Sequence, residues 1–186
     1  MLNTKINERL LLNIMEAVNN LENKIGKQNI GNAGEYYIAS RLSAENFIAT
    51  ITLGRAEKYD ILAVNPTGKT IKLSVKTRFE KVDRFPLSKK DEIGGADDFY
   101  YASILLNKFV NEPDFWIIPS KRVNEILSQA AEDYYFHKVR QDGEKHNDVG
   151  IRNLWLKINK TNRDTYPKDW EQELKKYEKN IDQLKK

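Results

Sequence analysis

Three side chains in one stretch of this sequence have the types and spacing to do chemistry: Asp60, Ser74 and Lys76. The stretch is YDILAVNPTGKTIKLSVKTR, from Tyr59 to Arg78, and its NPTG segment indicates a turn between two strands. A hairpin that carries an acid, a hydroxyl and a cation on a covered face must give its charges partners or a bound ion. The first question is therefore whether the hairpin brings these side chains together.

The apolar residues of the two strands predict which residues face each other. If Asn65 pairs with Lys69 across the turn, three apolar pairs fall on one face: Tyr59 with Val75, Ile61 with Leu73, and Ala63 with Ile71. A slip of one residue would mix apolar and charged groups on both faces. The favoured register places Ser74 opposite Asp60, with Lys76 further along the same face.

The polar face of the hairpin has two interpretations. It is a solvent-exposed surface, where Asp and Lys are common, or it is covered and holds a site. Leu62 and Val64 share this face, which favours a cover. The candidate cover is the helix expected from Gly31 to Leu42.

Glu35 is an acid on the apolar stripe of that helix, in line with Ile38, Ala39 and Leu42. Two roles are open for its carboxylate. It faces the site, or it belongs to a capping box in which Asn32 caps the helix and Glu35 is the third helical residue. The two roles do not exclude each other.

The order of these residues resembles the PD-(D/E)xK nuclease superfamily, whose members have the restriction-endonuclease-like fold. The matching features are an early helical acid, Glu35, the strand residue Asp60, a turn, and SVKTR from Ser74 to Arg78. The GE before a helix and the VKTR after a hairpin are most similar to the resolvase-like and restriction-like branches. The similarity covers residues 31–78, and its specificity lies in the order and spacing together.

The resemblance implies a site for Mg²⁺ or Mn²⁺. Asp60 would be the main ligand, with Ser74 and the backbone carbonyl of Val75 as further oxygen donors, and Glu35 would hold the metal or its waters. The metal would activate a water and stabilise charge on the scissile phosphate. Lys76 would orient or help deprotonate that water, or stabilise the transition state. Lys76, Asp60 and Glu35 are thus the expected catalytic residues of a metal-dependent DNA endonuclease.

Ser74 departs from the family pattern, which has a carboxylate or an amide at this position. Serine is a neutral and shorter ligand, so the metal would bind more weakly or through water, and Glu35 could compensate. One alternative is a nuclease-fold module that binds DNA with weakened or lost catalysis. A second alternative is an unrelated α/β structural or interaction protein whose polar hairpin face is ordinary surface.

Basic residues around the hairpin are expected to contact DNA phosphates. The expected contacts are Arg55, Lys58, Arg78, Lys89 and Lys90. Lys89 and Lys90 would lie at the mouth of the site if Ser88 caps a helix. The alternative is a solvated loop, because four acids interleave with the cations: Glu80, Asp83, Asp91 and Glu92.

Length and composition fit one domain. The chain has 186 residues, of which 40% are hydrophobic, and a formal net charge of +4, which modestly favours a nucleic-acid partner. It has no cysteine, which excludes disulfides and thiolate metal sites. No apolar run approaches the ~18 residues that cross a bilayer, and the N-terminus has no secretion signal, so a cytoplasmic protein is expected.

The order of helical and strand-like segments predicts an α/β fold with a central mixed sheet flanked by helices. The resemblance adds the restriction-endonuclease-like topology, with additional N- and C-terminal helices. Strands are expected over 47–53, 59–64, 70–77, 99–107, 114–120 and 154–158, and helices over 1–24, 33–45, 120–133 and from Pro167 towards Lys186. We expect an N-terminal helix in 1–26, a nuclease-like domain in 27–160, and a C-terminal helix in 161–186 packed on that domain. A homodimer would let two sites cut two strands.

Overall fold

The structure is a computed structural model that describes residues 13, 15, 25–52 and 59–186. The helix predicted over residues 1–24 therefore lies almost entirely outside the described residues. The described chain forms, in order, α1 (Lys27–Ala44), β1 (Ile48–Ile51), β2 (Ile61–Val64), β3 (Thr70–Arg78), β4 (Arg84–Ser88), β5 (Phe99–Leu105), β6 (Asp114–Pro119), α2 (Ser120–Glu132), β7 (Ile151–Trp155) and α3 (Trp170–Leu174).

A five-stranded mixed sheet forms the centre of the fold, in the order β1-β2-β3-β5-β6. The β3 and β5 strands are parallel, and the other neighbours are antiparallel. The two helices α1 and α2 contact opposite faces of this sheet. This arrangement confirms the α/β class and the central mixed sheet flanked by helices. No helix in the described part of the chain is long and apolar enough to cross a membrane.

The predicted hairpin register is confirmed, since Ile61 lies opposite Leu73 and Ala63 opposite Ile71. The predicted turn is also present. The N–H of Gly68 donates to the carbonyl of Asn65 at 2.9 Å, and the Gly68 φ of 88° is a conformation that glycine adopts without strain. Turn chemistry and apolar alternation therefore agree on one register, which sets the position of every side chain on β3.

The helix α1 covers the apolar face of the hairpin, so the expectation that it covers the polar face is wrong. Ile38 and Leu42 of α1 are buried in one cluster with Ile61 and Leu73. The polar face of β3 continues on β5 through Tyr101, and that face packs against α2 and the β4–β7 pair. The cover predicted from Leu62 and Val64 therefore exists, but other elements provide it.

The segment expected to be a charged loop contains β4, which pairs with β7 in a second, two-stranded antiparallel sheet. The predicted strand over 154–158 is instead β7, which begins at Ile151. Phe85, Leu87 and Leu154 are buried between this sheet and α2. These three apolar positions anchor an element that the surrounding charges conceal in the sequence.

The C-terminal segment is not the long helix that the sequence predicts. Its α-helix, α3, ends at Leu174, and the chain then hydrogen-bonds to the edge strand β6: the N–H of Ile117 donates to Tyr177, and the N–H of Lys179 donates to Phe115. An edge strand presents unpaired backbone groups, and these bonds satisfy some of them. Long-range pairing therefore prevails over the helical preference of this charged sequence.

Candidate active site

Asp60 stands directly before β2, where the hairpin pairing ends. Its N–H donates to the carbonyl of Leu73 at 2.8 Å, so Leu73, the strand partner of Ile61, also contacts the backbone of Asp60. Its carboxylate Oδ2 accepts hydrogen bonds from the Ser74 hydroxyl at 3.2 Å and from the Val75 N–H at 2.6 Å. The carboxylate thus takes the place of a strand partner for Val75, and it is held against β3 in one position.

The backbone carbonyl of Val75 faces the same side of β3 as Asp60. In an antiparallel pair, the N–H and C=O of one residue point towards the same neighbouring strand. Because the Val75 N–H points to Asp60, its carbonyl oxygen also points to that side. Two kinds of oxygen that suit a hard cation, a carboxylate and a carbonyl, therefore lie at one end of the hairpin.

Helix α1 brings Glu35 to this end of the hairpin. Burial raises the pKa of Glu35, the negative charge of Asp60 raises it further, and the positive charge of Lys76 opposes the rise. Glu35, Asp60 and Lys76 come from a helix, a strand start and a strand end, and their charges act on one another. Asp60 and Lys76 are therefore close enough for their charges to act on Glu35, and the catalytic roles of the three residues stay a prediction.

Gly34 lets α1 approach β3 closely, which brings Glu35 near the end of the hairpin. A Cβ atom at Gly34 would lie 2.0 Å from Thr77 Oγ1, far inside contact distance. Gly34 is also buried, while the next residue, Glu35, is half-buried. A glycine in contact with β3 thus positions the acid that follows it.

The capping-box interpretation of Asn32 and Glu35 is wrong. The helix begins at Lys27, after Gly26, so Asn32 lies within it rather than before it. The Oδ1 atom of Asn32 accepts a hydrogen bond from Gln28 Nε2 at 2.9 Å. Of the two roles open for Glu35, the capping role is excluded, and the role at the site stays a prediction.

Asp91 is an acid whose charge interacts with that of Lys76 and which the sequence does not single out as a site residue. Its Oδ2 accepts hydrogen bonds from the N–H and the hydroxyl of Ser88, both at 2.8 Å, and its Oδ1 accepts one from Tyr101 at 2.8 Å. Burial acts to raise the pKa of Asp91, but these bonds and the charge of Lys76 outweigh it and lower the pKa. The signal in the sequence was the Ser88-to-Asp91 spacing of a short capped helix.

The predicted phosphate-contacting cations lie at different places. Arg78 is exposed at the end of β3, and Lys89 and Lys90 are exposed on the 3₁₀ segment Lys89–Glu92. The Lys89 ammonium is paired with Asp148 at 3.0 Å. This segment also contains Asp91, whose pKa the charge of Lys76 helps to lower, and a place for Lys89 and Lys90 at the mouth of the site stays a prediction. Arg55 and Lys58 lie outside the described residues.

Carboxylates are few at this site. Within the part of the chain that the structure describes, no group of three or more His, Cys, Asp or Glu side chains could hold a metal ion. A divalent cation at the hairpin end would depend on the pair Glu35 and Asp60. The Val75 carbonyl, the Ser74 hydroxyl, waters and substrate phosphate would supply its other ligands.

Comparison with known proteins gives a distant structural likeness. No family model matches the chain, and no curated protein matches it. Among solved structures, the chain is similar to a bacterial homing endonuclease, I-Ssp6803I, with a TM-score of 0.46 and 14% sequence identity. The likeness covers 86% of this chain and 91% of the other.

Proposed function

We propose that this protein is a Mg²⁺-dependent DNA endonuclease of the PD-(D/E)xK type, with Asp60, Glu35 and Lys76 as its catalytic residues. One observation carries the proposal: at the end of the hairpin, Ser74 and Val75 hold the Asp60 carboxylate where its charge and that of Lys76 act on Glu35. A carboxylate whose pKa is raised by burial and by a neighbouring acid is typical of functional sites, which supports the proposal.

The donor set fits Mg²⁺ or Mn²⁺. Mg²⁺ usually takes one or two protein carboxylates and leaves its other positions to waters and substrate phosphate. Glu35 and Asp60 offer two carboxylates, and Val75 offers a carbonyl beside them. When bound, the ion would lower the pKa of a water and stabilise negative charge on the scissile phosphate.

The protein's own residues position this chemistry. The bonds from Ser74 and Val75 fix one oxygen of Asp60, so the carboxylate is oriented before substrate arrives. Lys76 brings an ammonium that donates hydrogen bonds to a phosphate oxygen or orients the attacking water. The charge of Lys76 also acts on Asp91 of the 3₁₀ segment, whose pKa it helps to lower.

A DNA-binding module without catalysis is the second candidate. The observation that favours it is the Ser74 hydroxyl, which donates to Asp60 Oδ2 where the family pattern has a metal-binding acid or amide. In that case the fold and the cations would bind duplex DNA, and no metal would promote hydrolysis.

Cleavage of supercoiled and branched DNA by the purified protein tests the proposal. Wild type, Asp60→Ala, Lys76→Ala and Lys72→Ala are compared with Mg²⁺, with Mn²⁺ and with a chelator. Lys72 is the matched control, because it lies on the same face of β3 but pairs with Asp98 at 3.1 Å.

We expect wild type and Lys72→Ala to cut DNA only with metal. Asp60→Ala and Lys76→Ala should lose about 100-fold or more of the rate, which is typical when an acid–base or charge-stabilising group is removed. Equal rates in Lys76→Ala and Lys72→Ala would reject the role of Lys76. DNA binding by wild type without any cleavage would leave the second candidate.

A further inference from the structure

The β4–β7 pair, which we call the ribbon, has one buried and one outward face. Its inward residues are Phe85, Leu87, Arg152 and Leu154, all buried. The register places Arg84 opposite Trp155, Pro86 opposite Asn153, and Ser88 opposite Ile151, so these six alternate residues share the outward face. A cation, an amide and three apolar side chains thus form most of the surface of a two-stranded element.

The outward face lines a groove of about 610 Å³. Arg78, Arg84, Pro86, Ile151, Asn153 and Trp155 are among its lining residues. The guanidinium of Arg84 lies over the Trp155 ring at 4.8 Å, and Ile151 is 59% exposed. A guanidinium over a ring still presents its planar fork of N–H donors at its edge.

The groove lies near the proposed active site along the chain at both ends of β4. Arg78, which lines the groove, follows Lys76 by two residues on β3. At its other end, β4 runs into the 3₁₀ segment whose Asp91 acts on Lys76. A long, anionic polymer held at Lys76 would therefore lie near Arg78 and the groove that Arg78 lines.

We infer that the outward face of the ribbon reads the base sequence of double-stranded DNA, an inference that rests on the proposed nuclease function. A two-stranded β-ribbon fits the major groove, which is ~12 Å wide. Arginine recognises guanine and asparagine recognises adenine through paired hydrogen bonds, and apolar side chains contact the thymine methyl group. Arg84, Asn153 and Ile151 offer these three kinds of contact on one face.

The ribbon is held firmly enough to discriminate between bases. The carbonyl of Trp155 accepts a hydrogen bond from the Trp170 indole at 2.6 Å, and the carbonyl of Asn153 accepts one from the Tyr166 hydroxyl. On the inward side, Arg152 is paired with Asp148 at 2.8 Å and with Glu92. A preorganised surface loses little conformational freedom on binding, so more of its contact energy serves recognition.

Selection from a library of duplex DNA with a randomised core tests the inference. Binding is carried out with a chelator, so that recovery of bound duplexes does not require cleavage. Wild type, Arg84→Ala and Asn153→Ala are compared with Lys121→Ala, which removes an exposed cation at the start of α2. All four proteins are checked for folding by circular dichroism and for oligomeric state by light scattering.

Wild type and Lys121→Ala should enrich the same base motif. Arg84→Ala and Asn153→Ala should each lose discrimination at one or two positions of that motif, by about 5- to 150-fold. The inference would be overturned if wild type enriched no motif or if both ribbon variants enriched the unchanged motif. It would also be overturned if the ribbon variants changed the oligomeric state in place of the motif. A motif that depends on the ribbon, in a protein that never cuts DNA, would instead contradict the nuclease proposal and keep the ribbon as the reading surface.

Discussion

Replacing Gly34 with alanine tests whether α1 approaches β3 as closely as the structure shows. The added Cβ would lie 2.0 Å from Thr77 Oγ1, 2.8 Å from its Cγ2 and 2.9 Å from its Cβ. All three distances are shorter than the ~3.5 Å of normal contact. Thr77 is β-branched and stiff, so it has little room to turn away, and the helix has to move instead.

The change in the free energy of unfolding follows from two opposing effects. Overpacking of this kind costs about 1–3 kcal/mol, whereas alanine is favoured over glycine in a helix by about 1 kcal/mol. Gly31 lies in the same helix, and a Cβ there would meet nothing within 4 Å. Gly31→Ala should therefore stabilise the protein by about 1 kcal/mol, so the two variants should differ by about 1–3 kcal/mol.

Chemical denaturation of wild type, Gly31→Ala and Gly34→Ala measures this difference, and thermal unfolding should separate the variants by about 3–10 °C. Because α1 carries Glu35, Gly34→Ala should also reduce metal-dependent cleavage, while Gly31→Ala should not. The second change Thr77→Ala should restore part of the stability of Gly34→Ala, since it removes the two closest atoms. Equal stabilisation by both alanines would refute the close packing of α1 on Thr77.

Three further substitutions test the charges of the site. Glu35→Gln should stabilise the metal-free protein by a few tenths of a kcal/mol, because the raised pKa of Glu35 makes wild type lose stability as pH rises above 4.5. Unfolding of both proteins between pH 4 and 8 should show that the difference in their free energies of unfolding grows with pH, and a constant difference would contradict this prediction. Asp91→Asn should lower the free energy of unfolding by about 1 kcal/mol at neutral pH, because the lowered pKa of Asp91 means that its charged form stabilises the fold. This loss of stability should shrink as pH falls below 3.8, and unfolding of both proteins across this pH range checks the direction of the change. Ser74→Asp should lower the stability of the metal-free protein, because it adds a third carboxylate near Asp60. Mg²⁺ should raise the melting temperature of this variant more than that of wild type, and an equal rise in both proteins would argue against a cation at this position.

The part of the site that the sequence predicts correctly is local. Apolar alternation and one turn fix the pairing of Ile61 with Leu73, and this register is sufficient to place Ser74 beside Asp60. The turn supports the same register, because Asn65 Oδ1 accepts hydrogen bonds from the backbone N–H groups of Thr67 and Lys69. Two independent local signals agree, so no tertiary information is needed.

The capping-box error is local, because the helix begins at Lys27, but most of the other errors involve contacts between residues distant in sequence. The face that α1 covers depends on the fit of Gly34 against Thr77, which lies 43 positions later and which no periodicity reveals. The contribution of Asp91 depends on Tyr101, a residue of β5 that reaches the 3₁₀ segment across the sheet. The C-terminal segment has helical composition, yet its backbone bonds to β6 decide its conformation.

The unequal lengths of β2 and β3 explain why the site lies where it does. Within the described residues, β2 pairs with β3 only as far as Leu73, while β3 continues to Arg78 beside β5. Beyond Leu73, the N–H and C=O of Val75 point towards the side on which β2 no longer continues. Asp60 satisfies the N–H there, and the carbonyl and the second carboxylate oxygen remain directed at the same opening, next to Glu35. Lengthening β2 to pair with Val75 would stabilise the sheet and remove the oxygen donors, so the early end of β2 is itself a requirement of the proposed site.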